Sequence, residues 1–506
     1  MTNLYSHFQS TFRNQADRVL IEAGERLVTG GELEATTARY AAVLRDAGLK
    51  PGDRLAVQVE KSLENVLLYL GCLRLGAIYM PLNTAYQPAE ISYFLGDATP
   101  RVFVCPPDRK SVLEPVAAAA GVAALLTLGS AGDGDLVERA ACAQPFTDVF
   151  DCADDDLAVI CYTSGTTGRS KGAMITHGNL ASNAETLVEL WEFTDQDVLL
   201  HALPLYHIHG LFVALHCAFL SGAKLLLLPK FDSQVLAALG RSTVMMGVPT
   251  FYTRLLAEPA LNRELVRTMR LFISGSAPLL PETFADFEAR TGHRILERYG
   301  MTETQMISSN PLHGSRHPGT VGLPLPGVEV RIADEHGLSL PVDEIGVIEV
   351  RGPNVCKGYW QMPAKTKAEI RPDGYFITGD LGMFEPDGYL RIVGRAKDLI
   401  ISGGLNVYPK EIEEAIDALP GVAESAVFGV PHPDFGEVVM AAVVARPGAS
   451  LSEADLIGNL RERLAAFKTP KRIYLLNELP RNAMSKVQKT LLRQQYGGVY
   501  TQAHGQ

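Results

Sequence analysis

The chain has 506 residues, 47% of them apolar and 20% charged, so it has material for several large cores. A formal net charge of -11 argues against broad electrostatic binding to nucleic acid or an anionic membrane. The opening residues lack the apolar core of a secretory signal. The seven scattered cysteines form no CxxC pair, which fits reduced thiols in a cytoplasm and not a disulfide scaffold or a zinc site.

In chain order, apolar strand-like runs alternate with helical stretches. RLAVQV precedes LENVLLYLGCLRLG and AIYMPLN, and RVFVCP precedes KSVLEPVAAAAG and ALLTLG. Comparable runs recur at KLLLLP, TVMMGVP and RLFISG. This alternation predicts parallel sheets covered by helices. The apolar stretch from Leu211 to Leu228 reads as a helix, a turn at Gly222 and a buried strand, not as a membrane span. After about Pro311, short alternating strands (GVEVRIAD, GVIEVRG, GYFITGD, GYLRIVGR) predict a smaller antiparallel region. Beyond Arg395, EIEEAIDAL and LSEADLIGNLRERLAA read as helices, and ESAVFGV and VMAAVVA as strands. Ser452 and Asp455 mark the start of the second helix.

The sharpest local feature is Tyr162-Thr-Ser-Gly-Thr-Thr-Gly-Arg-Ser-Lys-Gly172, expected to come after a strand and to precede a helix. Small hydroxylated residues and glycines let backbone N–H groups approach phosphate oxygens, and Lys171 adds a cation. The spacing is not that of a Walker loop. Downstream, Arg298-Tyr-Gly-Met-Thr-Glu303 puts an aromatic ring, a hydroxyl and a carboxylate close together. Tyr375-Phe-Ile-Thr-Gly-Asp380 ends in an acid suited to ribose hydroxyls, and Gly394-Arg395-Ala-Lys-Asp398 carries a guanidinium. Pro480 to Lys489 presents Lys486 in a loop.

Together YTSGTTGRSKG, RYGMTE, YFITGD, GRAKDLIISGG and PRNAMSKVQK resemble the acyl-adenylate-forming superfamily across nearly the whole chain. Ser170 and Ser485 depart from its usual proline and glycine. The resemblance implies an α/β, mixed α+β protein. Its large N-terminal domain, 1–394, would hold two helix-covered sheet subdomains and a small β-barrel. A hinge at 395–398 would lead to a mobile C-terminal α+β domain, 399–506. It also implies ATP, Mg²⁺ and coenzyme A as reactants. Thr163, Ser164, Gly165, Thr166, Thr167, Gly168 and Lys171 would hold phosphates. Gly275, Ser276, Ala277, Arg298, Tyr299 and Gly300 would border the nucleotide. Thr302 would contact the α-phosphate, Asp380 and Arg395 the ribose, and Thr166 and Glu303 the metal. Lys486 would be the catalytic cation, His207 a gate, Lys397 the hinge residue, and Ser402, Gly403 and Gly404 the border of the CoA arm. Control by acetylation of Lys486, through a lysine acetyltransferase, is a further implication.

The acid is read from Gly247-Val-Pro-Thr-Phe-Tyr-Thr-Arg254, where Pro249 suits a first helical turn. Arg254 lies one turn after Thr250, and an arginine on an acyl-pocket wall calls for an anionic partner. A second substrate carboxylate would supply it. His209, Ser274 and Met306 would complete a short polar pocket. GVPTFYTRL, HALPLYHIHGL and RLFISGSAPL resemble the malonyl-CoA synthetases, which implies malonate, then methylmalonate, as the acid. Competing expectations are a synthetase for another short or aromatic acid, a peptide-synthetase adenylation domain, a luciferase-like oxygenase and a non-catalytic nucleotide sensor.

Overall fold

The computed structural model describes residues 3–163, 170–402, 405–432, 435–482 and 486–500. The chain divides into two compact units, one of residues 1–330 and 350–376, the other of residues 331–349 and 377–506.

The first unit carries two large sheets. One has six strands in the order Ala124–Thr127, Val102–Cys105, Arg54–Val57, Ile78–Pro81, Leu157–Thr163, Lys171–Thr176. All its pairs are parallel except the last. The intervening runs form helices as the sequence expects, among them Leu63–Arg74, capped by the Ser62 side chain on Asn65 N–H, and Lys110–Ala119. Both faces of this sheet are covered, so strands such as Ile78–Pro81 and Val102–Cys105 are buried throughout.

The second sheet has nine strands. Its parallel centre runs Leu296–Met301, Leu271–Ser274, Val244–Gly247, Val198–His201, Lys224–Leu227, Val19–Ala23. Antiparallel strands Gln305–Ser309 and Arg26–Thr29 flank that centre. In parallel α/β sheets, ligands gather where the strands' carboxyl ends face outward. Here those ends are His201, Gly247, Ser274 and Met301, and each leads into a segment singled out by sequence. The stretch from Leu211 resolves as expected: a π-helical turn His209–Ala214 runs into helix Leu215–Ser221. Gly222 ends it at φ +75°, the left-handed conformation a C-terminal glycine supplies, before strand Lys224–Leu227.

Glu329–Ala333, Gly346–Arg351, Phe376–Phe384 and Leu390–Arg395 form a four-stranded sheet in that order, most of whose residues belong to the second unit. Beyond residue 400 lies a five-stranded sheet built on the hairpin Val422–His432 and Gly436–Ala445, with Arg472–Leu476 parallel to the latter. Helices Pro409–Asp417 and Glu453–Arg461 pack on it through Ile412, Ile416, Leu456 and Leu460. The Ser452 hydroxyl caps the latter helix by accepting Asp455 N–H, as its sequence signature requires. Among the described residues no helix is long and apolar enough to cross a membrane. All seven cysteines are free.

Candidate active site

The glycine-rich segment departs from expectation at its far end. No helix begins there. Lys171–Thr176 is a strand that turns back antiparallel on Leu157–Thr163, with Thr163 opposite Lys171, and the helix His177–Leu190 starts only after it. Alternation in KGAMIT fits this strand, and the capping box at Thr176 and Asn179 fixes the later helix start. Thr163 and Lys171 thus stand side by side at the ends of two paired strands. Ser164, Gly165, Thr166, Thr167 and Gly168 lie outside the described residues.

Lys171 is largely buried. Its Nζ lies 3.1 and 3.2 Å from the two carboxylate oxygens of Glu369 and 3.2 Å from Tyr359 Oη. The Tyr359 hydroxyl in turn stands 3.0 Å from Glu303 Oε1 and also contacts Glu369 Oε2. Thr163 Oγ1 reaches the same Glu303 oxygen at 3.4 Å. The ends of the two sheets thus meet at Glu303, which is 4% exposed. Burial pushes its carboxyl above the usual range, against hydrogen bonding from Tyr359 and the charge of Lys171. Burial also pushes the Glu369 carboxyl up, but hydrogen bonds from Lys365, Tyr359 and Lys171 outweigh it and leave Glu369 below the usual range. Oxygen donors of this kind, carboxylate and hydroxyl, suit Mg²⁺.

Around the corner of the same sheet lies a second group. Arg298 is 3% exposed, and its Nε and Nη2 have no hydrogen-bond partner. Burial pushes the guanidinium down to about 10 despite the nearby Tyr252. Ser274, fully buried, has an unpartnered Oγ, and His209 an unpartnered Nε2. Burial first, then the charge of Arg298, hold His209 well below its usual range, so its ring is neutral. The Ser276 hydroxyl lies 3.3 Å from His209 Nδ1, and Ser276 holds φ +70°, a backbone conformation that a non-glycine residue adopts at a cost. Met306 is fully buried, with its backbone paired to the Asn183 side chain at 3.0 and 3.1 Å. Gly300 lies against it: a Cβ there would stand 2.1 Å from Gln305 O and 2.6 Å from Met306 Cε.

The remaining expected residues of this unit lie at the same strand ends. Gly275 is buried and Ala277 exposed, Tyr299 is 8% exposed, and Thr302 and His207 are half-buried. His207 Nδ1 faces the His209 backbone N–H at 3.5 Å. Arg254 does not occupy a buried wall. It is exposed on helix Pro249–Ala257, whose buried face is Phe251, Tyr252 and Leu255, and among the described residues it makes no ion pair.

In the second unit, Asp380 and Arg395 stand opposite each other in paired strands, with Arg395 Nε 2.8 Å from Asp380 Oδ1. Asp380 is buried, and its backbone N–H donates to Thr378 Oγ1 at 3.0 Å. Lys397 is exposed. Ser402 is buried beside Gly436, whereas Gly403 and Gly404 lie outside the described residues. Lys486 is exposed and pairs with Asn482, through Asn482 N–H to Lys486 O at 2.9 Å and Lys486 N–H to Asn482 Oδ1 at 3.0 Å.

Sequence reasoning missed Tyr359 and Glu369. They stand 188 and 198 residues beyond Lys171, and nothing in GYWQMPAKTKAE marks them as its partners. It placed Arg298 in the nucleotide motif, with no sign of its unpartnered donors.

Paired strands closed by Thr163 and Lys171, a buried acid within reach of a hydroxyl, and unpartnered buried polar atoms at parallel strand ends fit a nucleotide-using enzyme of the α/β type. Similarity says which kind. The AMP-binding enzyme family matches residues 8–360, and the AMP-binding enzyme C-terminal domain matches residues 411–486. The chain belongs to the AMP-binding enzyme family. Its fold matches the crystal structure of ATP-bound MatB from Rhodopseudomonas palustris with a TM-score of 0.96, at 52% identity over 99% of both chains. It is 35% identical to the malonate–CoA ligase of Arabidopsis thaliana, over 95% of this chain and 86% of that protein. It is 37% identical to the mitochondrial malonate–CoA ligase of Mus musculus, over 90% of this chain and 84% of that one.

Proposed function

We propose that this enzyme joins malonate to coenzyme A, making malonyl adenylate from ATP and then the thioester, with release of pyrophosphate and AMP. Methylmalonate is the second acid. The plant and mouse malonate–CoA ligases support this reading by their similarity. One observation on this chain carries it: Arg298 is a buried guanidinium with two unpartnered nitrogens, its charge acts on the His209 imidazole, and Ser274 Oγ and His209 Nε2 are unpartnered as well. An uncompensated buried charge costs roughly 3–5 kcal/mol. A carboxylate that accepts from the guanidinium, the serine and the imidazole relieves that cost, and a monocarboxylic acid has none to spare. Arg298 is thereby proposed for the acid as well as for the nucleotide border that its motif suggests. Arg254 remains proposed as a cation for the diacid's second carboxylate, and Met306 and Gly300 are proposed to limit acid length.

A carboxylate is a poor acyl donor because oxide is a poor leaving group. Attack of its oxygen on the α-phosphorus of ATP expels pyrophosphate and leaves AMP as the later leaving group. Negative charge builds on the phosphates, so positioned cations and donors set the rate. Thr163, Ser164, Gly165, Thr166, Thr167, Gly168 and Lys171 are proposed to hold the phosphates, and Thr302 the α-phosphate. Tyr299, with Gly275, Ser276 and Ala277, is proposed to border the adenine, and Asp380 with Arg395 the ribose. Glu303 and Thr166 would hold Mg²⁺, which neutralises phosphate charge. Lys486 is the proposed catalytic cation, and its exposure suits it to acetylation by a lysine acetyltransferase. His207 is the proposed gate, Ser402, Gly403 and Gly404 the CoA border, and Lys397 the hinge residue within 395–398, between domains 1–394 and 399–506. A cytoplasmic location is part of the same reading. The test is AMP release with ATP, Mg²⁺ and CoA across malonate, acetate, butyrate and octanoate. Preference for malonate supports the proposal, and preference for octanoate overturns it.

A further inference from the structure

Lys171 has three ammonium hydrogens. In this structure its Nζ faces three acceptors: both Glu369 oxygens, at 3.1 and 3.2 Å, and Tyr359 Oη, at 3.2 Å. It also sits 4.3 Å from the centroid of the Tyr359 ring. Its cationic capacity is thus committed inside the protein, in a pair whose side chains are 17% and 20% exposed. Glu369 is further held by Lys365, one helical turn away at 2.6 Å. A phosphate oxygen that takes Lys171 must displace at least one of these acceptors.

We infer that Glu369 is a positioning residue that acts through Lys171: it holds the lysine at the mouth of the hairpin and competes with the nucleotide phosphates for it. The inference rests on the proposed role of Lys171 as a phosphate ligand. Tyr359 makes the exchange orderly. Its single hydroxyl hydrogen is shared between Glu303 and Glu369. Once a phosphate draws Lys171 away, Glu369 keeps the tyrosine and Lys365, so its carboxylate is not stranded. When pyrophosphate leaves, Glu369 takes the lysine back. The residue therefore weakens nucleotide binding and speeds the departure of pyrophosphate.

This makes a prediction opposite in sign to that of a merely structural residue. Affinity for ATP in EDTA, and for inorganic pyrophosphate, is measured by isothermal titration on the full chain. The proteins are wild type, Glu369→Gln, Glu369→Ala, Glu369→Asp, Lys171→Met and the Lys171→Met/Glu369→Gln double variant. Neutralising Glu369 should tighten both ligands by about fivefold, the scale of a partly exposed ion pair. Glu369→Asp, which keeps the charge, should stay within about twofold of wild type. The gain should vanish in the Lys171→Met background, which separates competition for Lys171 from a general rise in positive charge. Either neutral variant suffices if the other does not fold. Unchanged or weaker binding in the neutral variants, with Lys171→Met still weakening ATP, overturns the inference and leaves the site reading standing. A gain that persists without Lys171 overturns it as well. Lys171→Met binding ATP like wild type overturns the phosphate role of Lys171 and the inference with it.

Discussion

Arg298 rests against the backbone of Gly275: a Cβ on that glycine would stand 2.4 Å from the guanidinium carbon. The two residues belong to neighbouring strand ends, and only the missing side chain lets the arginine lie there. Gly275→Ala should push the guanidinium aside and cut kcat/KM for malonate at least about tenfold, on the scale of one misplaced charged contact. Activity on butyrate should change by less. Steady-state kinetics on the two acids checks this, and equal losses would mean the glycine serves only the nucleotide.

Removing the charge itself separates stability from function. Arg298→Met keeps bulk but deletes an uncompensated buried cation, so the free protein should melt at a higher temperature. Malonate should meanwhile lose on the order of 100-fold or more in kcat/KM, about 3 kcal/mol. With ATP present throughout, wild type should gain thermal stability on adding malonate, and the variant should not. Differential scanning calorimetry with and without malonate reads both effects.

Arg254 offers the complementary comparison. It is exposed and makes no ion pair among the described residues, so Arg254→Ala should leave the melting temperature within about 1 °C. A loss in malonate activity without a loss in butyrate activity would place it at the acid. Equal rates with wild type on both would leave recognition to Arg298.

The proposed role of Glu303 in holding Mg²⁺ implies a metal and pH dependence. Mg²⁺ requires its ionised form, and burial raises its carboxyl above the usual range. As pH falls, the Mg²⁺ concentration for half-maximal activity should climb at a higher pH than an ordinary glutamate would give. Glu303→Gln should raise that concentration about tenfold or more at neutral pH and flatten its pH dependence. A magnesium titration at several pH values tests this.

Asp417, in the second unit, has a buried Oδ1 without a partner. Burial, then the neighbouring Glu413, Glu424 and Glu414, push its carboxyl up to about 7 against a hydrogen bond from Ser425. The folded chain therefore binds its proton more tightly than the unfolded chain does. The native state loses stability as pH rises from the usual aspartate range through about 7. Asp417→Asn should stabilise the protein at pH 8, by up to about 4 kcal/mol, and by much less at pH 4. Urea unfolding at the two pH values measures the difference.

Much of the architecture was legible in the lengths and limits of its apolar runs. KLLLLP, TVMMGVP and RLFISG became buried parallel strands, as short unbroken apolar runs bounded by glycine or proline do when both sheet faces are covered. The glycine-rich segment was legible as chemistry but not as structure, because a loop's composition does not say whether it leads into a strand or a helix. Arg254 stood out by its place in a helix turn, whereas Arg298 was hidden inside a nucleotide motif. What distinguishes Arg298 is the lack of a partner, which only packing reveals. Tyr359 and Glu369 carry no local signal, since their role exists only where distant strands converge on Lys171.

Recognition of the far carboxylate of a short diacid is proposed to rest on the buried Arg298 guanidinium. A crystal of the enzyme soaked with malonate and a non-hydrolysable ATP analogue tests it most directly. One malonate carboxylate should lie against Arg298 Nε and Nη2, within reach of Ser274 Oγ and His209 Nε2, and the other should face the α-phosphate. Malonate bound elsewhere, or an Arg298 still without an anion beside a fully occupied site, would contradict it.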